Sequence, residues 1–245
     1  MTEPPTETPP APKAPAPAPG GSSPAAMVPY ALPFALFMAL TAAEGLDALK
    51  PHYPLVYAGK AAVVAAALWF CRRTFLQFPF AVSPLATAAG VAGVVMWVGL
   101  ENHLPYPKPE FLGGAGGEAR AGFDPFTAIA DPALRWAFIA VRLIGMAALV
   151  PLMEEILWRG LLIRYITDED FERVEPGKFS PAAFAVVTVG FTLLHPEWLP
   201  AALYAAGTNL VLRQTGSLWA CIQMHAVTNL LLGVYVLAAG DRKFW

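Results

Sequence analysis

Uncharged apolar stretches recur along the chain, and their lengths predict membrane-spanning helices. No charge occurs from Ala14 to Ala43, and residues 27 to 43 are dense in Leu, Phe, Ala and Met before Glu44 and Asp47. That stretch is just long enough, with its flanks, to cross a hydrocarbon core of roughly 30 Å. A second span is expected over residues 53 to 70, with Lys60 near enough to its start to snorkel to the interface. A third lies within the uncharged Thr74 to Leu100, beginning after Pro84. Three later segments, 181 to 195, 198 to 212 and 217 to 239, are each bounded by Pro, Gly or charge.

Between these groups the pattern is less simple. Residues 101 to 131 read as a Gly/Pro-rich loop, and Asp131-Pro132 reads as a helix start, with the acid as N-cap and proline in the first turn. The helical pattern then continues to about Ile166. At 1.5 Å per residue those roughly 35 residues make about 52 Å, too long for one straight span. Arg135 and Arg142, seven apart, share a face, which predicts an amphipathic interfacial part and a break between Gly145 and Pro151. The expected fold class is all-α, a polytopic bundle of about seven to eight helices with a polar intramembrane cavity. Arg72-Arg73 marks a cytoplasmic loop by the positive-inside rule. Seven crossings then put the N-terminus inside and the C-terminus outside, and an eighth at the break reverses the C-terminus.

Composition agrees. The chain is 56% hydrophobic and 14% charged, with a mean hydropathy of +0.50, against roughly 25% charged in a soluble domain. A net charge of −2 supplies no basic field for nucleic acid, which is not an expected partner. Lipid and a peptide or protein substrate are. Cys71 and Cys221 have no CxxC spacing and read as small hydrophobes. Residues 1 to 26 hold nine prolines among Ala, Gly, Ser and Thr, a composition that predicts a disordered tail before a transmembrane domain over 27 to 245. The start lacks the basic residues of a signal peptide.

Chemistry enters at residues 150 to 164. Glu154 and Glu155 interrupt a run that carries no charge after Arg142, and an intramembrane acid is a functional hypothesis by default. Glu155 and Arg159 are four apart, so the arginine can hold that carboxylate ionised, while Glu154 points about 100° away. Three more polar side chains sit in the late apolar segments. His195 shares a face with Phe191, and His225 shares one with Asn229. Each has a plain structural reading: a satisfied core histidine, interhelical hydrogen bonds, an ion network with Arg159. Together they support water activation, with a carboxylate as general base, an imidazole orienting the water, and a second His with an Asn amide donating to an oxyanion. No HExxH, GxSxG or Gly-x-Gly-Asp motif is present. No cofactor is expected; a divalent metal on Glu154, His195 and His225 stays chemically open.

These residues resemble the intramembrane glutamate proteases related to the CAAX prenyl endopeptidases, the CPBP or ABI family, whose motifs are EExxxR, FxxxH and HxxxN. Here they stand as Glu154-Glu155 with Arg159, Phe191 with His195, and His225 with Asn229. The resemblance covers about residues 130 to 240. It implies that Glu154 activates water with His195, that His225 and Asn229 stabilise the oxyanion, and that Glu155, Arg159 and Phe191 support them. Glu-Glu-Ile-Leu-Trp-Arg, Asp170-Phe171, Thr215 to Cys221 and the terminal Phe244-Trp245 are similar to a bacterial branch associated with exosortase sorting systems, which implies a multi-pass protein of the bacterial inner membrane. Trp158 stands where many relatives carry Phe, and Glu197 adds an acid after His195. The prenylated substrates of the founding members are not carried over, since bacteria generally lack them. A non-proteolytic membrane binding or immunity-type protein on the same scaffold is the alternative function, and a proton-coupled transporter ranks behind both for want of inverted repeats.

Overall fold

A computed structural model describes residues 21–109 and 123–245; the expected disorder of residues 1–20 lies outside them. The described residues are helical with no strand. Among the described residues seven principal helices follow one another: α1 (Pro24–Glu44), α2 (Tyr53–Phe70), α3 (Pro84–His103), α4 (Pro132–Thr167), α5 (Pro181–Leu193), α6 (Trp198–Thr215) and α7 (Leu218–Ala239). Helices α1, α3, α4 and α7, and α2 with the turn before it, are long and apolar enough to cross a membrane. The chain is a multi-pass membrane protein.

The helix starts are written locally. Ser23, Ser83, Asp131 and Ser180 each accept a hydrogen bond from a first-turn amide, and each is followed by proline. Side-chain oxygen satisfies an orphan N–H, and proline lacks one that would need satisfying. Ser217 caps α7 in the same way without the proline. Gly216 and Gly240 end α6 and α7 at φ +61° and +72°, where an L side chain is strained.

Burial is inverted relative to a soluble protein. Leu55, Trp69, Phe70 and Val95 are exposed, whereas Glu44, Lys60, Arg142, Glu155 and Arg159 are at most 3% exposed. Large apolar side chains face outward, and charges are paired or caged inside, as a lipid solvent requires.

Three expectations need correction here. Helix α1 begins at Pro24, inside the stretch read as tail. Lys60 does not snorkel: it is buried, and its Nζ lies 2.6 Å from Glu44 of α1, near Thr41, with Phe37 and Tyr57 around it. A pair between neighbouring antiparallel helices meets the charge more cheaply than reaching for water. Arg142 is likewise not interfacial. It is 2% exposed, donates to Tyr53 Oη, and its guanidinium lies 5.7, 5.0 and 4.9 Å from the rings of Tyr53, Tyr57 and Trp245.

The predicted break in α4 is absent. The helix runs through as 36 residues, with two widened π-helical stretches, Gly145–Leu149 and Ile156–Leu162. A π segment inserts one residue into the turn and rotates all that follows, and such bulges gather at functional sites. These two flank Val150–Glu155 on both sides.

Helices α3 and α7 approach backbone to backbone. A Cβ at Gly90 would stand 2.7 Å from the Met224 carbonyl oxygen, and one at Gly93 would stand 2.9 Å from Thr228 Oγ1. Thr228 uses the proximity by donating to the Gly90 carbonyl at 2.8 Å. Small residues make this contact possible, and it fixes the helix that carries His225 and Asn229.

Candidate active site

Adjacent residues on a regular helix cannot share one face, yet Glu154 and Glu155 are 8% and 0% exposed. Helices α1 and α7 both pack on this part of α4, so more than one of its faces is covered and both carboxylates lie within the bundle. Glu155 is the hub of an ion network. Arg159 Nη1 reaches its two oxygens at 3.1 and 3.2 Å, and His225 Nδ1 lies 2.9 Å from Oε1. Arg159 is itself fully buried, with Nε donating to Asn209 Oδ1 at 2.9 Å and Nη2 to the Ala205 carbonyl at 3.1 Å. The guanidinium also sits 5.4 Å from the ring centre of Phe191.

Phe191 joins the two histidines. His195 stacks on it at 4.5 Å, and His225 meets it edge-on at 6.3 Å. Trp158, Trp97 and Tyr204 complete the aromatic surround, packing respectively on Phe191, on His195 and on His225. Trp158 fits there because Gly190 leaves its ring room: a Cβ at that glycine would stand 3.0 Å away.

Hydrogen-bond donors fix the tautomers. His195 Nδ1 lies 2.8 Å from the Phe191 carbonyl, which can only accept, so Nδ1 carries the hydrogen and Nε2 is the nitrogen turned elsewhere. His225 Nδ1 is taken by Glu155, which likewise leaves Nε2 for other use. Asn229 Nδ2 donates to the Met146 carbonyl at 2.9 Å, inside the first π segment. The amide is thereby tied to the same helix that carries the glutamates.

The outer edge of the histidine segment is clamped by the chain after α3. Trp198 donates to the Pro107 carbonyl at 2.6 Å, Tyr106 packs on Trp198, and Tyr106 Oη donates to Glu101 at 2.5 Å. Burial, then the Glu101 carboxylate, push the Tyr106 phenol above its usual range, so it stays a donor. Glu197 starts α6, its carbonyl accepting from Ala201.

The seven residues singled out in the sequence thus lie on α4, α5 with the turn after it, and α7; the contacts above connect Glu155, Arg159, Phe191, His195 and His225 and tie Asn229 to α4, and Glu154 is buried next to Glu155. Glu155 meets Arg159 and His225, Phe191 meets the same two, and His195 joins them through Phe191. Sequence reading missed Asn209, Tyr204 and Thr228. Asn209 had a signal, a lone amide in an apolar segment, of the same kind that marked Asn229. Among the described residues no three His, Cys, Asp or Glu side chains are grouped closely enough to hold a metal ion.

Residues 136–231 match the family model of type II CAAX prenyl endopeptidase Rce1-like proteins. No curated protein and no solved structure shows significant similarity to the chain.

Proposed function

We propose that the chain is an intramembrane endopeptidase in which Glu154 activates the attacking water, a reading supported by the match of residues 136–231 to the Rce1-like type II CAAX prenyl endopeptidases, a family of peptidases. The observation that supports this most is a pair of neighbouring carboxyls buried within the bundle, the second of them anchored. Glu155 is committed to Arg159 and His225 at 2.9 to 3.2 Å. Glu154, one residue before it and 8% exposed, lies in a low-dielectric setting where a carboxylate serves as a general base.

The remaining roles follow from how each ring is held. His195, with Nδ1–H on the Phe191 carbonyl, presents Nε2 as an acceptor that orients the water or relays its proton. His225, held through Nδ1, turns Nε2 to the substrate and, with a proton on that nitrogen, donates to the tetrahedral oxyanion, with the Asn229 amide beside it. Preorganised donors of this kind are typically worth about 10²- to 10³-fold each in rate. No covalent enzyme intermediate is formed: water adds to the carbonyl carbon, its proton passes to Glu154, and the amine leaves with a proton.

The substrate is a membrane-associated peptide or protein cut near one end, and the setting is a bacterial inner membrane alongside an exosortase sorting system. The test is substrate trapping. Tagged membrane proteins are co-expressed with wild type or with Glu154→Gln, and an uncut form accumulating only with the variant is the expected result. Full cleavage by folded Glu154→Gln overturns the proposal.

A further inference from the structure

Arg159 presents five N–H donors and accepts nothing, so the oxygen of any amide beside it must face it. Asn209, 2% exposed, obeys: its Oδ1 receives Arg159 Nε at 2.9 Å. Its Nδ2 must then donate in the opposite direction, and does so to Thr188 Oγ1 at 3.1 Å and towards the Phe184 carbonyl at 3.4 Å. The Thr188 hydroxyl spends its own hydrogen on Phe184 O at 2.7 Å, which leaves its oxygen to accept. Every group in this path has one orientation only.

We infer that Asn209 is a positioning residue for the active site: it fixes the guanidinium plane of Arg159, which fixes Glu155, which holds the His225 ring. The path runs Thr188, Asn209, Arg159, Glu155, His225, and it ties α5 and α6 to α4 and α7. Without the Nε contact the guanidinium keeps only its Nη contacts, to the Ala205 carbonyl and to Glu155, and can pivot about them. Its Nη1 then no longer meets both Glu155 oxygens, and Oε1 ceases to define where Nδ1 of His225 must lie. Misplacement of a reacting group by about 1 Å costs on the order of 10²-fold in rate, so a residue that never touches substrate can carry a large share of turnover. The catalytic consequence rests on the endopeptidase reading; the placement of His225 does not.

The experiment separates them. Full-length protein labelled with ¹⁵N-histidine is purified in detergent, and the hydrogen-bonded Nδ1–H of His225 is identified by its absence in His225→Gln. Wild type is expected to show this proton protected from exchange. Asn209→Leu, folded by circular dichroism, is expected to lose it. Asn209→Asp, which keeps an oxygen towards Arg159, is expected to retain it. A purely structural role would lower thermal stability without this selective change. Persistence of the signal in folded Asn209→Leu overturns the inference. Where Asn209→Leu does not fold, Asn209→Ser, too short to reach Arg159, takes its place with the same expectation, and failure of both to fold makes the residue structural and also overturns it. On a peptide that wild type cleaves, kcat falls at least about tenfold in Asn209→Leu with KM little changed, and Asn209→Asp restores most of it. Loss of the resonance with no peptide cleaved even by wild type upholds the placement and counts against the endopeptidase reading alone.

Discussion

His225 Nδ1 lies 2.9 Å from Glu155 Oε1, joining α7 to α4 across 70 residues of sequence inside a bundle where both side chains are buried. The Arg159 guanidinium balances the carboxylate from its other side. Removing one member of such a buried set strands its partner's charge, which typically costs about 3–5 kcal/mol, whereas replacing both by apolar groups is often close to neutral. Glu155→Gln is therefore expected to lower stability by about that amount, and Glu155→Leu with Arg159→Met to recover most of it without recovering activity. Thermal unfolding in detergent, monitored alongside cleavage, checks both. Equal stability of the single and double variants would show that the network is not an ion pair in energetic terms.

Asn229 should behave in the opposite way. Its bond to the Met146 carbonyl is one neutral hydrogen bond, worth about 0.5–1.5 kcal/mol. As an oxyanion donor its loss costs on the order of 10²- to 10³-fold in kcat. Asn229→Ala should accordingly keep a nearly unchanged melting temperature while turnover collapses. A variant that retained rate but lost its fold would assign Asn229 to helix packing.

Much of this architecture was legible beforehand, for local reasons. Helix α2 begins and ends where the charge pattern put it, at residues 53 and 70, and α5 to α7 differ from their expected limits by at most three residues. Helix caps and charge boundaries are written in adjacent residues. The i, i+4 pairing of Glu155 with Arg159 was equally legible, since it lies within one helix. What could not be read is what depends on two helices at once. Lys60 meets Glu44 only because α1 and α2 fold back on each other, and Arg142 is caged by residues 89 and 103 positions away. The π segments are hidden for another reason: one extra residue per turn leaves the hydrophobic pattern of α4 almost unchanged, so excess length looked like a break. His225 was paired in sequence with Asn229, its neighbour in the motif. In the fold its hydrogen bond goes to Glu155 instead.

The α3–α7 contact gives a prediction that needs no substrate. A methyl group at Gly90 would meet the Met224 carbonyl at 2.7 Å and Val227 at 2.8 Å, backbone and a branched side chain that cannot yield easily. Gly90→Ala is expected to destabilise by about 1–3 kcal/mol through overpacking. Gly99, on the same helix, has nothing within 4 Å of a new Cβ, and Gly99→Ala should stabilise by about 0.5–1 kcal/mol through lower chain entropy. Thermal unfolding of the two variants side by side tests the difference, and equal effects would mean that α3 and α7 do not meet as described.

Thiol labelling tests which side of the membrane the α2–α3 connection faces. Cys71 follows the end of α2 and is half-buried, and Cys221 is fully buried in α7. Burial pushes the Cys71 thiol above its usual value, so its reactive thiolate is scarcer than in a free cysteine at any given pH. Labelling by a maleimide should be slow near neutrality and rise about tenfold per pH unit up to that raised value, because the thiolate fraction does. Cys221→Ala should leave the rate unchanged, and Cys71→Ala should abolish it. With Arg72 and Arg73 beside it, Cys71 is expected on the cytoplasmic side. A membrane-impermeant maleimide should then label it in inverted vesicles and not in intact cells. Labelling in intact cells alone would reverse the orientation, placing the Arg72-Arg73 end outside and both His195 and the Tyr106–Trp198 clamp towards the cytoplasm.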